Sequence, residues 1–246
     1  MPLNFNNHSL FRKVALTSLL VPALVVNQAS ANTAQNIIEP VALTAQSSQA
    51  KQHLMAKLAT LTYFSADFTQ QILSDQGETL QQGSGNLAIS KPNLANWKTI
   101  TPDETLIVSD GNTLWFYDPF IEQASAFSLA KSIHNTPILL LTSDEPQLWA
   151  QYDVLESDIA KDEAGNKISR FVVFPKNESG QIKKLTLSFL HTTKPAEQAE
   201  LTEFSFQDAT GQISQINLSN FNSATKPADA LFSFSLPEGV RLEDKR

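Results

Sequence analysis

The sequence predicts an antiparallel β-sandwich or β-barrel that follows an export signal and one helix. Through most of the chain, short runs of alternating apolar and polar residues are separated by turn-forming stretches. Asp110-Gly111 stands between two such runs, and a two-residue Asp-Gly turn is a strong signal for a β-hairpin. Regular short strands that are joined by hairpins indicate an antiparallel sandwich or barrel.

The N-terminus has the three parts of a cleavable export signal. Arg12 and Lys13 are basic, residues 14–26 are an apolar run, and residues 29–31 form a small-x-small cleavage site. The apolar run is shorter than the roughly 20 residues that a membrane-spanning helix needs. We therefore expect a signal peptide over residues 1–31 and an exported, soluble protein; a buried N-terminal helix is the alternative.

Charge and cysteine content narrow the possible partners. The chain has 246 residues with 18 basic and 25 acidic residues, and removal of the signal would take away two basic ones. This acidic balance disfavours nucleic acid and anionic membrane surfaces, so we predict no nucleic-acid partner. No cysteine is present, which excludes disulfides, thiol metal sites and attachment of a lipid to a cysteine behind the signal.

The mature chain is long enough for one all-β domain or two small ones. Residues 32–45 lack strong periodicity and are predicted as a flexible N-terminal extension, ahead of a single domain over residues 46–246. The domain begins with a predicted helix, in which Leu54, Leu58 and Leu61 have the i, i+4, i+7 spacing of one helical face. On this pattern alone, it is an ordinary core-facing helix.

After the helix, the apolar period changes to two. Phe64, Ala66 and Phe68 alternate with polar residues, which indicates a half-buried strand. Residues 136–151 are apolar first and polar later and predict short helices, while a Phe/Ser alternation over residues 232–236 predicts a last strand. The other predicted strands cover residues 83–90, 97–100, 106–109, 112–117, 152–159, 168–174, 184–190, 201–207 and 213–221.

Phenylalanine is unusually frequent, with 15 residues against three Tyr and three Trp. Small β-domains normally fill their interior with side chains. With 41% hydrophobic residues, this chain could fill a core or line an apolar cavity. The pattern alone does not separate these two outcomes.

Residue patterns for catalysis or metal binding are missing from the sequence. His53, His134 and His191 stand in separate segments without the clustered spacing of metal ligands, so no metal or other cofactor is predicted. No nucleophile elbow, phosphate-binding glycine loop or zinc-protease motif is found. Ser128 and Lys131 match the S-x-x-K spacing of penicillin-interacting enzymes, but the companion motifs are absent. The pattern therefore favours a binding protein over an enzyme.

Several segments of the chain form one long and specific pattern, which extends from about residue 54 to about residue 153. Its centre is the run SDGNTLWFYDP at residues 109–119. The matching segments are residues 64–70, 85–87, 91–97, 101–104, 108–119, 121–124 and 135–137, with weaker matches at 174–176, 232–234 and 237–240. Together they resemble the LolA family of periplasmic outer-membrane lipoprotein carriers.

The resemblance implies an incomplete antiparallel β-barrel that encloses an apolar cavity and is covered by a lid of helices. It also implies a monomeric, non-enzymatic periplasmic chaperone for outer-membrane-directed lipoproteins. Such carriers take lipoproteins from an inner-membrane ABC lipoprotein-releasing complex and pass them to an outer-membrane lipoprotein receptor of similar fold. Because the chain lacks cysteine, it corresponds to the soluble carrier and not to the receptor.

Helix periodicity and the resemblance together predict the residues of the acyl-chain cavity. These are Leu54, Leu58, Leu61, Phe64, Phe68, Trp97, Ile107, Ile138 and Leu141. The resemblance also implies that the basic residue before Pro92 holds the lid shut through hydrogen bonds to helix backbone. This residue is Lys91, whereas the family usually has Arg, and Lys offers fewer and more mobile donors. A solvated charge at a strand end is the alternative for Lys91.

Two other functions fit parts of the pattern. One is an envelope-stress regulator that senses mislocalised lipids with a related half-barrel, although such proteins typically carry a second domain. The other is a lipid hydrolase, which the missing nucleophile motifs disfavour. Ala95, where family members often carry an aromatic residue, departs from the family pattern, as do the long stretches near residues 160–169 and 191–200.

Overall fold

The computed structural model describes residues 40–132, 136–143, 145–157, 160–161, 163, 165–177, 180–191 and 199–246. The predicted signal peptide over residues 1–31 lies outside the described residues, as does the first part of the predicted extension. Residues Ile38–Arg246 form one compact unit.

Four α-helices and one 3-10 helix are seen in the described residues. They are α1 (Pro40–Thr60), α2 (Leu129–Ser132), α3 (Pro137–Leu140), α4 (Pro146–Trp149) and the 3-10 helix Asp229–Phe232. Helix α1 begins inside the stretch that was expected to be an extension. Helices α3 and α4 lie in the 136–151 segment, where the sequence predicts short helices.

The described residues form 13 β-strands in one sheet. They are β1 (Tyr63–Leu73), β2 (Thr79–Ser90), β3 (Leu94–Thr101), β4 (Thr105–Asp110), β5 (Thr113–Asp118), β6 (Gln123–Ser128), β7 (Tyr152–Glu156), β8 (Ala160–Lys161), β9 (Lys167–Pro175), β10 (Ile182–Leu190), β11 (Leu201–Asp208), β12 (Ile213–Asn222) and β13 (Arg241–Lys245). Three strands, β6, β8 and β13, have no counterpart among the predicted strands.

The sheet has the order β13-β6-β5-β4-β3-β2-β1-β12-β11-β10-β9-β7, and β8 pairs with β9. Its neighbours are antiparallel except for β13, which runs parallel to β6. In the described part of the chain, the end strands β13 and β7 do not pair with each other, so the sheet stays open. The predicted fold class, an incomplete antiparallel β-barrel with a few helices, is confirmed.

Ring contacts across the inner face show how strongly the sheet curls. Trp97 lies on β3 and Phe204 on β11, four strands apart in the sheet order, which would be about 19 Å in a flat sheet. Their ring centroids are only 6.0 Å apart, and the Trp97 ring lies 4.1 Å from that of Phe68. The sheet therefore folds over on itself, and these three aromatic residues mark its inner face.

The hairpin between β4 and β5 is confirmed, although its turn lies one residue later than predicted. Strand β4 ends at Asp110 and β5 begins at Thr113, while Gly111 has a φ of 94°. The Asp110 carboxylate accepts hydrogen bonds from the backbone N–H groups of Asn112 (2.9 Å) and Thr113 (2.7 Å). It also accepts one from the Trp115 indole at 3.0 Å. Asp is favoured in turns because its side chain binds nearby backbone in this way.

The C-terminal segment covers part of the outer face of the sheet. The ring centroid of Phe234 lies 5.1 Å from that of Trp115 and 5.6 Å from that of Tyr117, both on β5. The prediction of a strand over residues 232–236 is wrong, because Phe232 ends the 3-10 helix and the residues after it form no ladder. Packing of Phe234 on outer-face aromatic rings, and not strand pairing, holds this alternating segment, and Leu236 stays 43% exposed.

Candidate functional site

Most of the predicted cavity residues are buried. Exposure is at most 1% for Leu54, Leu58, Leu61, Phe64, Phe68 and Leu141, and it is 9% for Trp97. Ile107 is only half-buried, but it lies directly opposite Trp97 in the ladder and therefore shares the inner face. Ile138 lies in α3, and its side chain is outside the described part of the structure. The structure thus brings Phe68, Trp97 and Ile107 together on one face.

The inner face extends beyond the residues that the sequence analysis selected. Phe171, Leu187, Phe204 and Ile216 lie opposite one another on β9 to β12, and each is at most 2% exposed. Alternation in these strands indicates a buried face, but it does not say that this face continues the one on β3. The ring contact between Trp97 and Phe204 establishes that continuity.

Helix α1 is held against the edge strand β7 by polar contacts. The Ser47 hydroxyl accepts a hydrogen bond from the Val154 N–H at 3.3 Å. The His53 Nδ1 atom lies 2.7 Å from Glu156 Oε2, in an exposed pair. Exposed pairs of this kind contribute only about 0–1 kcal/mol, so the contact between His53 and Glu156 can break at low cost.

The last turn of α1 places a cation over the inner face. Lys57 Nζ lies 5.7 Å from the ring centroid of Phe189, which is completely buried. Phe189 follows Leu187 by two residues on β10, and therefore points to the same face of the sheet. Burial lowers the pKa of Lys57, and the nearby Glu156 carboxylate opposes this shift only in part.

Lys91 joins the C-terminal end of α1 to the turn between β2 and β3. Its Nζ atom donates to the Leu58 carbonyl at 2.6 Å, and its backbone N–H donates to the Thr62 carbonyl at 2.8 Å. Carbonyl groups in the last turn of a helix lack the usual intrahelical partner, and a cation is favoured there by the helix dipole. Lys91 is half-buried, and its role as the contact that closes the lid stays a prediction.

The segment that carries α3 and α4 contacts the turn between β2 and β3 and is tied together internally. The Asn93 N–H donates to the Thr142 carbonyl at 3.3 Å. The Trp149 indole, which is 1% exposed, donates to the Ser143 carbonyl at 2.9 Å. We refer to helices α1, α3 and α4 as the lid.

A small apolar cavity lies between the lid and the sheet. Its volume is about 230 Å³, and its lining includes Leu140 of α3, Tyr152 of β7, Val173 of β9 and Leu185 of β10. Burial raises the pKa of Tyr152. An apolar cavity of about 150 Å³ holds one benzene molecule, so this one can take the end of a single acyl chain. A larger apolar ligand therefore requires the lid to move.

The histidines contact other groups or lie outside the described residues. His53 pairs with Glu156, and His191 Nδ1 lies 3.0 Å from the Ser169 hydroxyl, whereas His134 is not described. Within the described ranges, no group of three or more His, Asp or Glu side chains could hold a metal ion. No helix in this part of the chain is long and apolar enough to cross a membrane.

An open antiparallel sheet that curls around an apolar face beneath helices defines a half-barrel protein with an apolar interior. The family model described as outer membrane lipoprotein carrier protein LolA matches residues 59–235. The chain belongs to this family.

Relatives cover nearly the whole chain. The outer-membrane lipoprotein carrier protein of Photorhabdus laumondii subsp. laumondii is 35% identical over 235 residues, which are 96% of this chain and 99% of that protein. The protein of the same name from Pasteurella multocida is 38% identical over 197 residues, 80% of this chain and 88% of that protein. A solved structure of an uncharacterized conserved protein from Thermus thermophilus has a TM-score of 0.53 at 12% identity and covers 80% of this chain and 99% of that one. This last likeness shows the fold alone.

Proposed function

We propose that this protein carries lipoproteins through the periplasm, with their acyl chains bound in its apolar interior, and delivers them to the outer membrane. The observation that carries the proposal is the continuous apolar inner face beneath a lid that separate polar contacts hold in place. Membership of the LolA family supports the same function. The signal-like pattern over residues 1–31 supports a periplasmic location.

The acyl chains contact the nine predicted cavity residues in the proposed loaded state. In the closed form, a cavity of about 230 Å³ is available between α3 and the sheet, which is too small for whole acyl chains. Loading therefore moves α1 and α3 away from the inner face. The hydrogen bond from Lys91 to the Leu58 carbonyl has to break for α1 to move.

Energetics favour a direct transfer between proteins. Each buried methylene gains about 0.8 kcal/mol, so three chains of roughly 15 methylenes give about 36 kcal/mol of gross transfer free energy. Real affinities saturate near about 18–21 kcal/mol, because ordering the chains and the protein costs free energy. A ligand that is bound this tightly does not leave into water on a useful timescale. It has to pass from one apolar surface to another.

We assign the supplying partner as an inner-membrane ABC lipoprotein-releasing complex and the receiving partner as an outer-membrane lipoprotein receptor of similar fold, as the family resemblance implies. The carrier works as a monomer, without a cofactor and without catalysis. Four of the five residues of the edge strand β13 are charged, and charged edge strands resist pairing with a second sheet. This feature supports the monomeric state.

Mass spectrometry of the ligand on protein purified natively from the periplasm tests the function. We expect an intact triacylated lipoprotein. A diffusible lipid would favour a lipid-sensing regulator and a hydrolysis product would favour a hydrolase, and either result would contradict the carrier function.

A pair of variants shows whether the ligand lies on the inner face. Ile107→Asp places a charge on the half-buried inner face and should be recovered without lipoprotein. Ile100→Asp is the matched control, because Ile100 also lies on β3 but is 48% exposed. It should be recovered with lipoprotein, as the parent is.

A further inference from the structure

The ammonium of Lys57 lies where the last turn of α1 meets the inner face. Its Nζ atom is 5.7 Å from the ring centroid of the fully buried Phe189. The Lys57 side chain itself is half-buried, so it reaches from the surface to the edge of the apolar interior. In the same turn, Thr60 accepts a hydrogen bond from the Ala199 N–H at 3.0 Å, which holds this turn close to the start of β11.

The donors of Lys57 are unused in the closed structure. Among the described residues, its ammonium makes no hydrogen bond and no ion pair, whereas the ammonium of Lys91 donates to the Leu58 carbonyl. Glu156 attracts Lys57 from a distance, but its carboxylate contacts His53 at 2.7 Å. Burial lowers the pKa of Lys57, as expected where water solvates an ammonium incompletely. Three N–H donors are therefore available to an acceptor oxygen.

The geometry points to Lys57 as the residue that binds the ester and amide carbonyl oxygens at the head of the acyl chains. This inference rests on the proposed carrier function and specifies which part of the ligand the rim of the interior recognises. In an acylated cysteine, the carbonyl oxygens stand where the hydrocarbon begins. A donor at the edge of an apolar surface meets these oxygens when the chains lie inside.

Neutral carbonyl oxygens fit this position better than an anionic head group. The Glu156 carboxylate is close enough to oppose in part the lowering of the Lys57 pKa by burial, and it would repel a second anion. The net charge of the chain is −7, which also disfavours anions. A carbonyl oxygen accepts the hydrogen bond from the ammonium without that repulsion.

Two synthetic lipopeptides with chains of equal length test the inference. One is a diacylglyceryl-cysteine peptide with two palmitoyl ester chains, and the other has two hexadecyl ether chains and so lacks the ester carbonyl oxygens. Binding to the full mature protein is measured by competition against a fluorescent acyl probe. We expect the parent to bind the ester lipopeptide at least about tenfold more tightly than the ether lipopeptide, because a hydrogen bond from a charged donor has about this effect on affinity. Lys57→Met should lose this preference with unchanged affinity for the ether, and Lys57→Arg should keep it.

Lys51→Met is the matched control for Lys57→Met. Lys51 is also a half-buried lysine of α1 with a pKa that burial lowers, but its charged neighbours are Lys176 and Asp153. This variant should keep the ester preference of the parent.

Three results would overturn the inference. The first is equal affinity of the parent for the two lipopeptides. The second is an equal loss of affinity for both in Lys57→Met, which would assign Lys57 a role in closing the lid alone. The third is a Lys57→Met variant that loses more affinity for free palmitate than for the ester lipopeptide. That result would mean that Lys57 binds a carboxylate. Failure of the parent to bind either lipopeptide would contradict the proposed carrier function instead.

Discussion

Removal of the Lys91 ammonium should loosen the C-terminal end of α1 without unfolding the sheet. Its bond to the Leu58 carbonyl is 2.6 Å long and partly buried, and a hydrogen bond from a charged donor contributes about 1.5–3 kcal/mol. Lys91→Met keeps most of the alkyl chain and deletes this bond. The ratio of open to closed lid should therefore rise about ten- to a hundredfold, because about 1.4 kcal/mol is a factor of ten.

Amide hydrogen exchange of α1 measures this opening. Protection over residues 54–60 should fall in Lys91→Met by the same factor, while Lys91→Arg should match or exceed the protection of the parent. Lys98→Met is the control, because the Lys98 ammonium contacts Glu104 at 3.0 Å in an exposed pair, which is worth about 0–1 kcal/mol. It should leave the protection of α1 unchanged.

Unchanged protection of α1 in a folded Lys91→Met variant would refute the assignment of Lys91 as the lid contact. A transfer assay with a labelled lipoprotein gives a second test. Lys91→Leu should still accept the lipoprotein but release it poorly to the receptor, because a leucine extends the apolar surface at the mouth. Equal transfer by the parent and Lys91→Leu would remove Lys91 from the transfer mechanism.

Three further predictions concern the interior, the hairpin turn and export. In a variant whose Trp115 and Trp149 are replaced by Phe, Trp97 fluorescence should shift on addition of a long-chain acyl probe. A folded variant whose Trp97 fluorescence does not change would contradict the cavity assignment. Burial acts to raise the pKa of Asp110, but hydrogen bonds from three N–H groups outweigh it and leave that pKa lowered. The ionised Asp110 carboxylate therefore stabilises the fold above its unfolded pKa of about 3.9, and this stabilisation is lost as the pH falls further. Asp110→Asn should thus reduce the free energy of unfolding in urea more at pH 7 than at pH 3. An equal reduction at both pH values would argue against this role. N-terminal sequencing of periplasmic protein should begin at Asn32, and a mature chain that retains the basic residues of the signal would disprove cleavage.

Helix α1 shows what periodicity can predict. The spacing of Leu54, Leu58 and Leu61 predicts one buried face, and each of these residues is at most 1% exposed, although α1 ends at Thr60 and Leu61 lies just beyond it. The start of the helix is different, because residues 40–45 carry no apolar stripe that would indicate it. Pro40 at the first helical position suits the start of a helix, but only the structure shows that the helix begins there.

Strand β6 is a case in which the local sequence pattern is too weak to predict a strand. Its buried residues include Ala124 and Ala126, which are 0% exposed, and alanine is a poor indicator of a strand. These alanines lie opposite Tyr117 and Trp115 in the ladder, on the face that Phe234 covers. Burial of β6 therefore depends on a segment that is distant in the chain.

The sequence by itself determined which residues prefer burial, that a hairpin turns near Asp110 and Gly111, and which family the chain resembles. The tertiary structure decided which apolar faces meet. The contact of Trp97 with Phe204 arises from the curl of the sheet, and the hydrogen bond from Lys91 to Leu58 joins groups 33 residues apart. The period of a pattern reports the face on which a side chain lies, because it reflects only local backbone geometry. The partner of that face is set by how distant segments close over it, which local geometry does not contain.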